Sequence, residues 1–196
     1  MSSTQSLSKK FEILDCAIDL FRKEGYRNVT VNQICAVAGI SKTTFYYYYK
    51  SKDSLIADFY SKTNFNIKEQ LLSILSAENV LDQLWNICEM YIRPISDAGA
   101  EIVRELYINN MNKDVLAIAP RDIYMKDAMV TLMKRAKTSD QIMNPASVEE
   151  LYETLVYLID GVAFIWATKK GGFDILAESR KVFDTLLVTD SSKNKG

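Results

Sequence analysis

Apolar positions near the start of the chain fall at helical spacing. Phe11, Leu14, Ile18 and Phe21 recur every three or four residues with Ala17 beside them, which lays one apolar face along a helix. Gly25 supplies a stop. Thr30-Val-Asn-Gln33 has the order of a capping box, so a second helix is expected over 31–38, turning Ile34 and Val37 or Ala38 inward. Gly39 breaks that helix, Ile40 plugs the turn, and Ser41 is placed to cap a third. Helix, short helix, glycine turn and short helix make a helix-turn-helix unit.

The pattern stays helical to the end. Ser51 to Ser54 offer caps, and Leu55, Phe59, Leu71, Leu72 and Leu75 continue as one long helix that joins the head directly to a larger body. Further helices are expected near 80–96, 100–112, 119–137, 148–169 and 173–188. Pro94 and Pro120 mark helix ends or kinks. In the fourth of these segments Leu151, Leu155, Leu158, Val162 and Ile165 form a stripe that Tyr152, Ile159 and Trp166 widen, while Gly161, Ala163 and Ala167 let another helix approach. Gly171-Gly172-Phe173-Asp174 is a turn, and Ile175, Val182, Phe183, Leu186 and Leu187 return as a second apolar helix. The expected fold is all-α, about nine helices. A helix-turn-helix domain over 1–52, ordered from about residue 8, precedes a helical domain over 53–196. The first few residues and the closing SSKNKG are expected to be mobile.

Composition agrees with this picture. Only 7 Gly and 3 Pro occur in 196 residues, which favours long helices, and 48% apolar residues supply a core. No run of about 18 apolar residues appears, so no membrane span is expected. The opening MSSTQSLSKK lacks the apolar stretch of a signal peptide. Cys16, Cys35 and Cys88 are odd in number and have no metal-ligand spacing, which reads as reduced thiols in a cytoplasmic protein. The net charge of −1 conceals an asymmetry: residues 1–52 carry net +4 and the remainder −5. A basic head on an acidic body points to a polyanion met by the head alone.

The third helix, within SKTTFYYYYKSK, carries the chemistry. At about 100° per residue, Phe45 and Tyr49 share an inward face. Thr43, Thr44 and Tyr47 lie opposite, Tyr46 and Tyr48 flank them, and Ser41 and Lys42 stand at the helix start. This suits a helix in a major groove. Short threonines approach base edges and touch thymine methyls, phenols on either side donate to phosphates, and Lys50 and Lys52 neutralise phosphate charge where the chain leaves the groove. The competing reading is an aromatic patch for docking another protein.

GISKTTFYYYYKSKDSLI, together with the upstream FRKEGYRNVTVNQICAVAGIS, resembles the signature of TetR-type (tetracycline-repressor-like) transcriptional regulators across about residues 8–56. The resemblance implies a mostly helical homodimer on a palindromic operator, with a variable second domain that often holds an inducer. It implies that Thr30 meets a phosphate at the start of the second helix. It gives Thr43 and Thr44 base contacts, and makes Tyr46 and Lys52 phosphate ligands. Tyr47 and Tyr48 stand where histidine or another aromatic is common. Thr43 replaces a frequent glycine. Tyr49 replaces the usual buried phenylalanine, so its hydroxyl must find a partner or reach solvent.

The apolar hairpin DGVAFIWATKKGGFD is similar in kind to the family's dimerisation hairpin. On that basis Leu151, Leu155, Leu158, Val162, Ile165, Trp166, Val182, Phe183 and Leu186 are assigned to a four-helix interface between two subunits. The alternative is a purely internal core. Soft and amphipathic side chains, Trp85, Cys88, Tyr91, Tyr107, Met111, Tyr124, Met125 and Met129, are candidates for an effector pocket, against the plainer reading that they are core. Arg93, Arg104 and Arg121 are either partners of an anionic effector or surface charges. No metal and no cofactor is implied. Histidine is absent, as are glycine-rich phosphate loops and nucleophile elbows, which argues against an enzyme. Glu149, Glu150 and Glu153 read as charges at a helix start. The sequence thus reads as a dimeric, sequence-specific DNA-binding repressor released by a small molecule. The alternatives are a regulator, including an activator, governed by a protein partner, and a protein-docking module.

Overall fold

The computed structural model describes residues 3–58, 77, 79–112 and 123–187. Nine α-helices lie among them. The head contains α1 (Ser3–Glu24), a 3-10 turn (Tyr26–Asn28), α2 (Val31–Ala38), α3 (Lys42–Tyr48) and α4 (Lys52–Ala57). The body contains α5 (Val80–Ala98), α6 (Ala100–Asn112), α7 (Ile123–Thr138), α8 (Val148–Thr168) and α9 (Ile175–Leu187). The stretch expected to extend α4 through Phe59, Leu71, Leu72 and Leu75 lies outside the described residues, as do Pro120, Arg121 and the C-terminal SSKNKG.

Local chemistry sets the boundaries in the head. Gly25 leaves α1 at φ 83. Thr30 caps α2 with a complete box, its side chain accepting from the Gln33 amide while Gln33 reaches back to the Thr30 amide. Gly39 ends α2 in the left-handed region at φ 63, and Ser41 caps α3 by accepting from the Thr44 amide at 3.0 Å. Ile34 and Cys35 are the buried residues of α2. Of the two candidates for a second inward position, Val37 is 58% exposed and Ala38 is half-buried.

Two apolar clusters divide the molecule. The first gathers Ile13, Leu14, Ala17, Ile18 and Phe21 of α1 around Ile34, Phe45 and Tyr49. It also includes Leu55 and Ile56 of α4 and Ala98, Ile102 and Leu106 of the body, so the head core is finished by the body. The second cluster is the core of α5 to α9. There α8 packs against α6, α7 and its hairpin partner α9. Helix α5 keeps Pro94 inside its final turns. Helix α8 is 21 residues long and contains an 18-residue window of mean hydropathy 1.3, enough by length and composition to cross a bilayer. In this fold Leu151, Leu155, Ala163 and Trp166 of that helix are buried in the body core.

Candidate nucleic-acid interface

Helix α3 is fixed from below and open above. Phe45 is 0% exposed and Tyr49 2%, and they anchor the helix in the head core. The Tyr49 hydroxyl donates to the Lys10 carbonyl at 2.8 Å, which supplies the partner that a tyrosine needs there. Burial pushes the Tyr49 phenol well above its ordinary range, with Asp58 and Asp15 adding to the shift. On the other side Tyr47 is 77% exposed and Tyr46 54%. Lys42, Thr43 and Lys50 are exposed beside them. Tyr48 is half-buried, packed against the head cluster and edge-on to Tyr47 with centroids 4.9 Å apart. Thr44 is partly covered, and its hydroxyl lies 2.9 Å from the Ser41 hydroxyl. The outward surface of the helix is therefore Thr43, Tyr46 and Tyr47, framed by Lys42 and Lys50.

Lys52 sits differently. Its ammonium donates to the Tyr26 carbonyl at 2.7 Å and the Val29 carbonyl at 2.9 Å, and lies 4.1 Å from the centre of the Tyr26 ring. Partial burial lowers its pKa, opposed by Asp53 and Glu105. The Tyr26 hydroxyl donates to the Asp53 carboxylate. Burial first, and then that bond, push the Tyr26 phenol far up. The start of α4 is thus stapled to the turn that precedes α2.

A row on α6 that sequence reasoning missed grips the same turn and the start of α4. Glu101 accepts from the Tyr26 amide at 3.0 Å, Glu105 meets Arg27 at 3.2 Å, and Asn109 donates to the Asp53 carbonyl at 2.9 Å. Their spacing of four residues puts all three on one helix face. That spacing was visible in the sequence, but its target was not. The row ties the body to the head at the loop that carries α2.

The effector candidates separate on the structure. Cys88, Tyr107 and Met129 are buried members of the body core, the plainer of the two readings open to them. Apolar neighbours raise the Cys88 thiol to about 12. The Tyr107 hydroxyl donates to the Asp160 carbonyl at 3.1 Å, and its ring meets Phe164 edge-on. Met111 is 67% exposed, away from that core. Trp85 and Tyr91 lie half-buried at its margin, Trp85 against Phe183 with Arg180 over the indole. The side chains of Tyr124 and Met125 lie outside the described residues. Arg93 pairs with Glu89, and Arg104 with Glu105.

The interface assignment also divides. Leu151, Leu155, Val162, Trp166 and Phe183 are buried within the subunit, and Trp166 donates its indole N–H to the Phe173 carbonyl at 3.0 Å. Val162 also lines a groove on the outer surface of the subunit. Leu158 and Ile165 remain exposed, and Val182 and Leu186 are half-buried. Tyr157 and Phe164, which the apolar spacing did not single out, join the exposed set. A shallow groove lined by Tyr157, Leu158, Gly161, Ile165 and Val182 runs along α8 and α9. The physical reason is that α8 is apolar almost all round, so periodicity alone does not say which stripe the subunit keeps.

Residues 13–59 match the family model described as bacterial regulatory proteins, tetR family. The chain is similar over nearly its full length to the fatty acid metabolism regulator protein of Bacillus subtilis (strain 168), at 23% identity covering 93% of this chain and 96% of that protein. Its fold is similar to two solved structures. The transcriptional regulator FadR from Bacillus subtilis in complex with stearoyl-CoA superposes with a TM-score of 0.60 at 18% identity, covering 91% of this chain and 97% of the other. FadR from Thermus thermophilus, a TetR family transcriptional repressor in complex with lauroyl-CoA, superposes with a TM-score of 0.61 at 20% identity, covering 95% and 100%.

Proposed function

We propose, from the premise that this chain belongs to the tetR family of bacterial regulatory proteins and is a DNA-binding transcriptional regulator, that it acts as a dimeric repressor of a palindromic operator. In this reading a long-chain acyl-CoA thioester releases it. The observation that carries the DNA part is the open face of α3. Thr43, Tyr46 and Tyr47 project from a capped, core-anchored helix between two lysines, and neither Lys42 nor Lys50 has an ion-pair partner among the described residues. An α-helix of this kind enters a major groove, with short side chains on base edges and phenols and ammonium groups on phosphates. Thr30 and the first amides of α2 would face a neighbouring phosphate.

Dimerisation is supported by the exposed apolar face of Tyr157, Leu158, Phe164 and Ile165, since two heads at fixed spacing are what a palindrome requires. The effector class is supported by the acyl-CoA ligands of the two similar structures. An acidic body suits release rather than further DNA contact.

The test is selection of genomic fragments by the pure protein, followed by a salt series with and without lauroyl-CoA and stearoyl-CoA. Two subunits per site, a steep loss of affinity with salt, and release by the thioester but not by free coenzyme A are expected. Selection of no fragment would sink the DNA reading and leave protein docking. Tight operator binding that no acyl-CoA disturbs would sink the effector.

A further inference from the structure

We propose that Tyr47 reads bases beside Thr43 at the floor of the groove, and that Thr44 positions the start of α3 instead of touching a base. This deepens the DNA reading given above and rests on it. The direction of α3 is set by its anchors, Phe45 and Tyr49, which are 0% and 2% exposed. At about 100° per residue, Tyr47 lies about 180° from the midpoint of those two, at the crest of the helix. Thr43 lies about 140° from that midpoint on one side of the crest, and Thr44 about 120° on the other. Tyr46 and Tyr48 stand about 80° from it on opposite flanks. Exposure follows the same order: 77% for Tyr47, 54% for Tyr46, and a half-buried Tyr48 packed on the head cluster.

A helix seated in a major groove turns its crest to the base edges and its flanks to the two phosphate walls. The flanking phenols therefore keep a phosphate role, and the crest phenol takes another. The Tyr47 ring meets the Tyr48 ring at 87° with centroids 4.9 Å apart, which restrains it before any contact with DNA. From the crest, an apolar ring edge and a hydroxyl arrive together. Thymine offers a methyl group and the O4 acceptor on one base edge, and so matches both. Thr43 is exposed four residues earlier, about 6 Å along the axis, which spans about two base-pair steps.

Thr44 is committed elsewhere. It is partly covered, its hydroxyl lies 2.9 Å from the Ser41 hydroxyl, and its amide donates to the same Ser41 oxygen at 3.0 Å. Ser41 is the cap of α3. Swinging the Thr44 hydroxyl to a base would break that contact at the helix start, where the first amides need an acceptor.

The test is selection from a random DNA pool by the full chain and by its variants Tyr47→Ala, Tyr47→Phe, Thr44→Ala and Thr44→Ser, with fluorescence anisotropy on the selected sites across a salt series. Wild type should select A·T at one position in each half-site, which Tyr47→Ala leaves open to any base. Discrimination at that position should fall about fivefold or more in Tyr47→Ala, with the salt slope unchanged. Tyr47→Phe should keep part of the preference, since its ring still meets the methyl group. Thr44→Ala should select the wild-type sequence with lower affinity. Thr44→Ser should restore that affinity, because it keeps a hydroxyl against Ser41. Tyr47 is exposed, so its variants should fold, which circular dichroism checks. Selection of the wild-type sequence by Tyr47→Ala, with the salt slope lowered by about one, would make Tyr47 a phosphate ligand and overturn the proposal. A new preferred sequence for Thr44→Ala would overturn it too. A wild-type protein that selects nothing would sink the DNA reading and this one with it, and is told apart because no variant is needed to see it.

Discussion

Lys52 shows how one residue's geometry redirects a functional expectation. The family resemblance gives it to a phosphate, yet two backbone carbonyls and an aromatic ring already hold its ammonium. We propose that it positions the turn before α2. Lys52→Ala should then reduce operator affinity mainly by loosening the head, with the slope of log affinity against log salt unchanged. Lys50→Ala should lower that slope by about one. A drop in slope for Lys52→Ala, measured by fluorescence anisotropy across a salt series, would restore the phosphate contact. Asp160 makes a second argument at this scale. Desolvation raises its carboxyl to about 7 from 3.8. A group whose folded pKa is raised contributes stability that is present below its unfolded pKa and is lost as pH rises through the folded value. Stability should therefore fall between about pH 4 and 7 through this group. Asp160→Asn should flatten that fall and stabilise the protein at pH 8 by roughly 1–3 kcal/mol, as read by urea denaturation at several pH values.

Among the elements, the short helices of the head were legible because their ends are written in local chemistry. Thr30 with Gln33, Gly39 and Ser41 act on their own neighbours, and the structure places each where the sequence implied. Gly39 is the sharpest case. It holds φ 63 with nothing near the position a Cβ would take, so the cost of a side chain is purely conformational. Gly39→Ala should destabilise the protein by about 1 kcal/mol, and Gly39→Asn by less, since asparagine tolerates the left-handed region. Equal losses in thermal denaturation would show that something other than backbone strain acts there. The features that were not legible are tertiary. Val37 fits an inward position by spacing but is exposed, because α2 is too short for its periodicity to outweigh how it crosses α1. Glu101, Glu105 and Asn109 look like an ordinary solvated helix face until the turn at Tyr26 is placed against them. Tyr107 and Met129 have the character of pocket residues, and only packing shows them as core.

For the whole molecule the undecided stripe on α8 becomes a prediction. One side of the helix is committed to the subunit through Leu151, Leu155 and Trp166, and the other leaves Leu158 and Ile165 open at 40% and 48% exposure. A helix that is apolar on both sides needs both covered, and α6, α7 and α9 leave one of them open. We propose that a second copy covers it, across the groove of α8 and α9. The two sides then respond differently to the same substitution. Leu155→Asp buries an unpaired carboxylate at a 0% exposed site and should abolish folding. Ile165→Asp leaves the subunit core intact and places like charges across a two-fold contact, so it should yield a folded monomer. Its circular dichroism should match wild type while sedimentation velocity shows half the mass. Because each subunit carries one recognition helix, the monomer should bind a half-site only weakly and lose the tight complex with the full palindrome. A variant that stayed dimeric and bound the palindrome as before would move the subunit contact off this face.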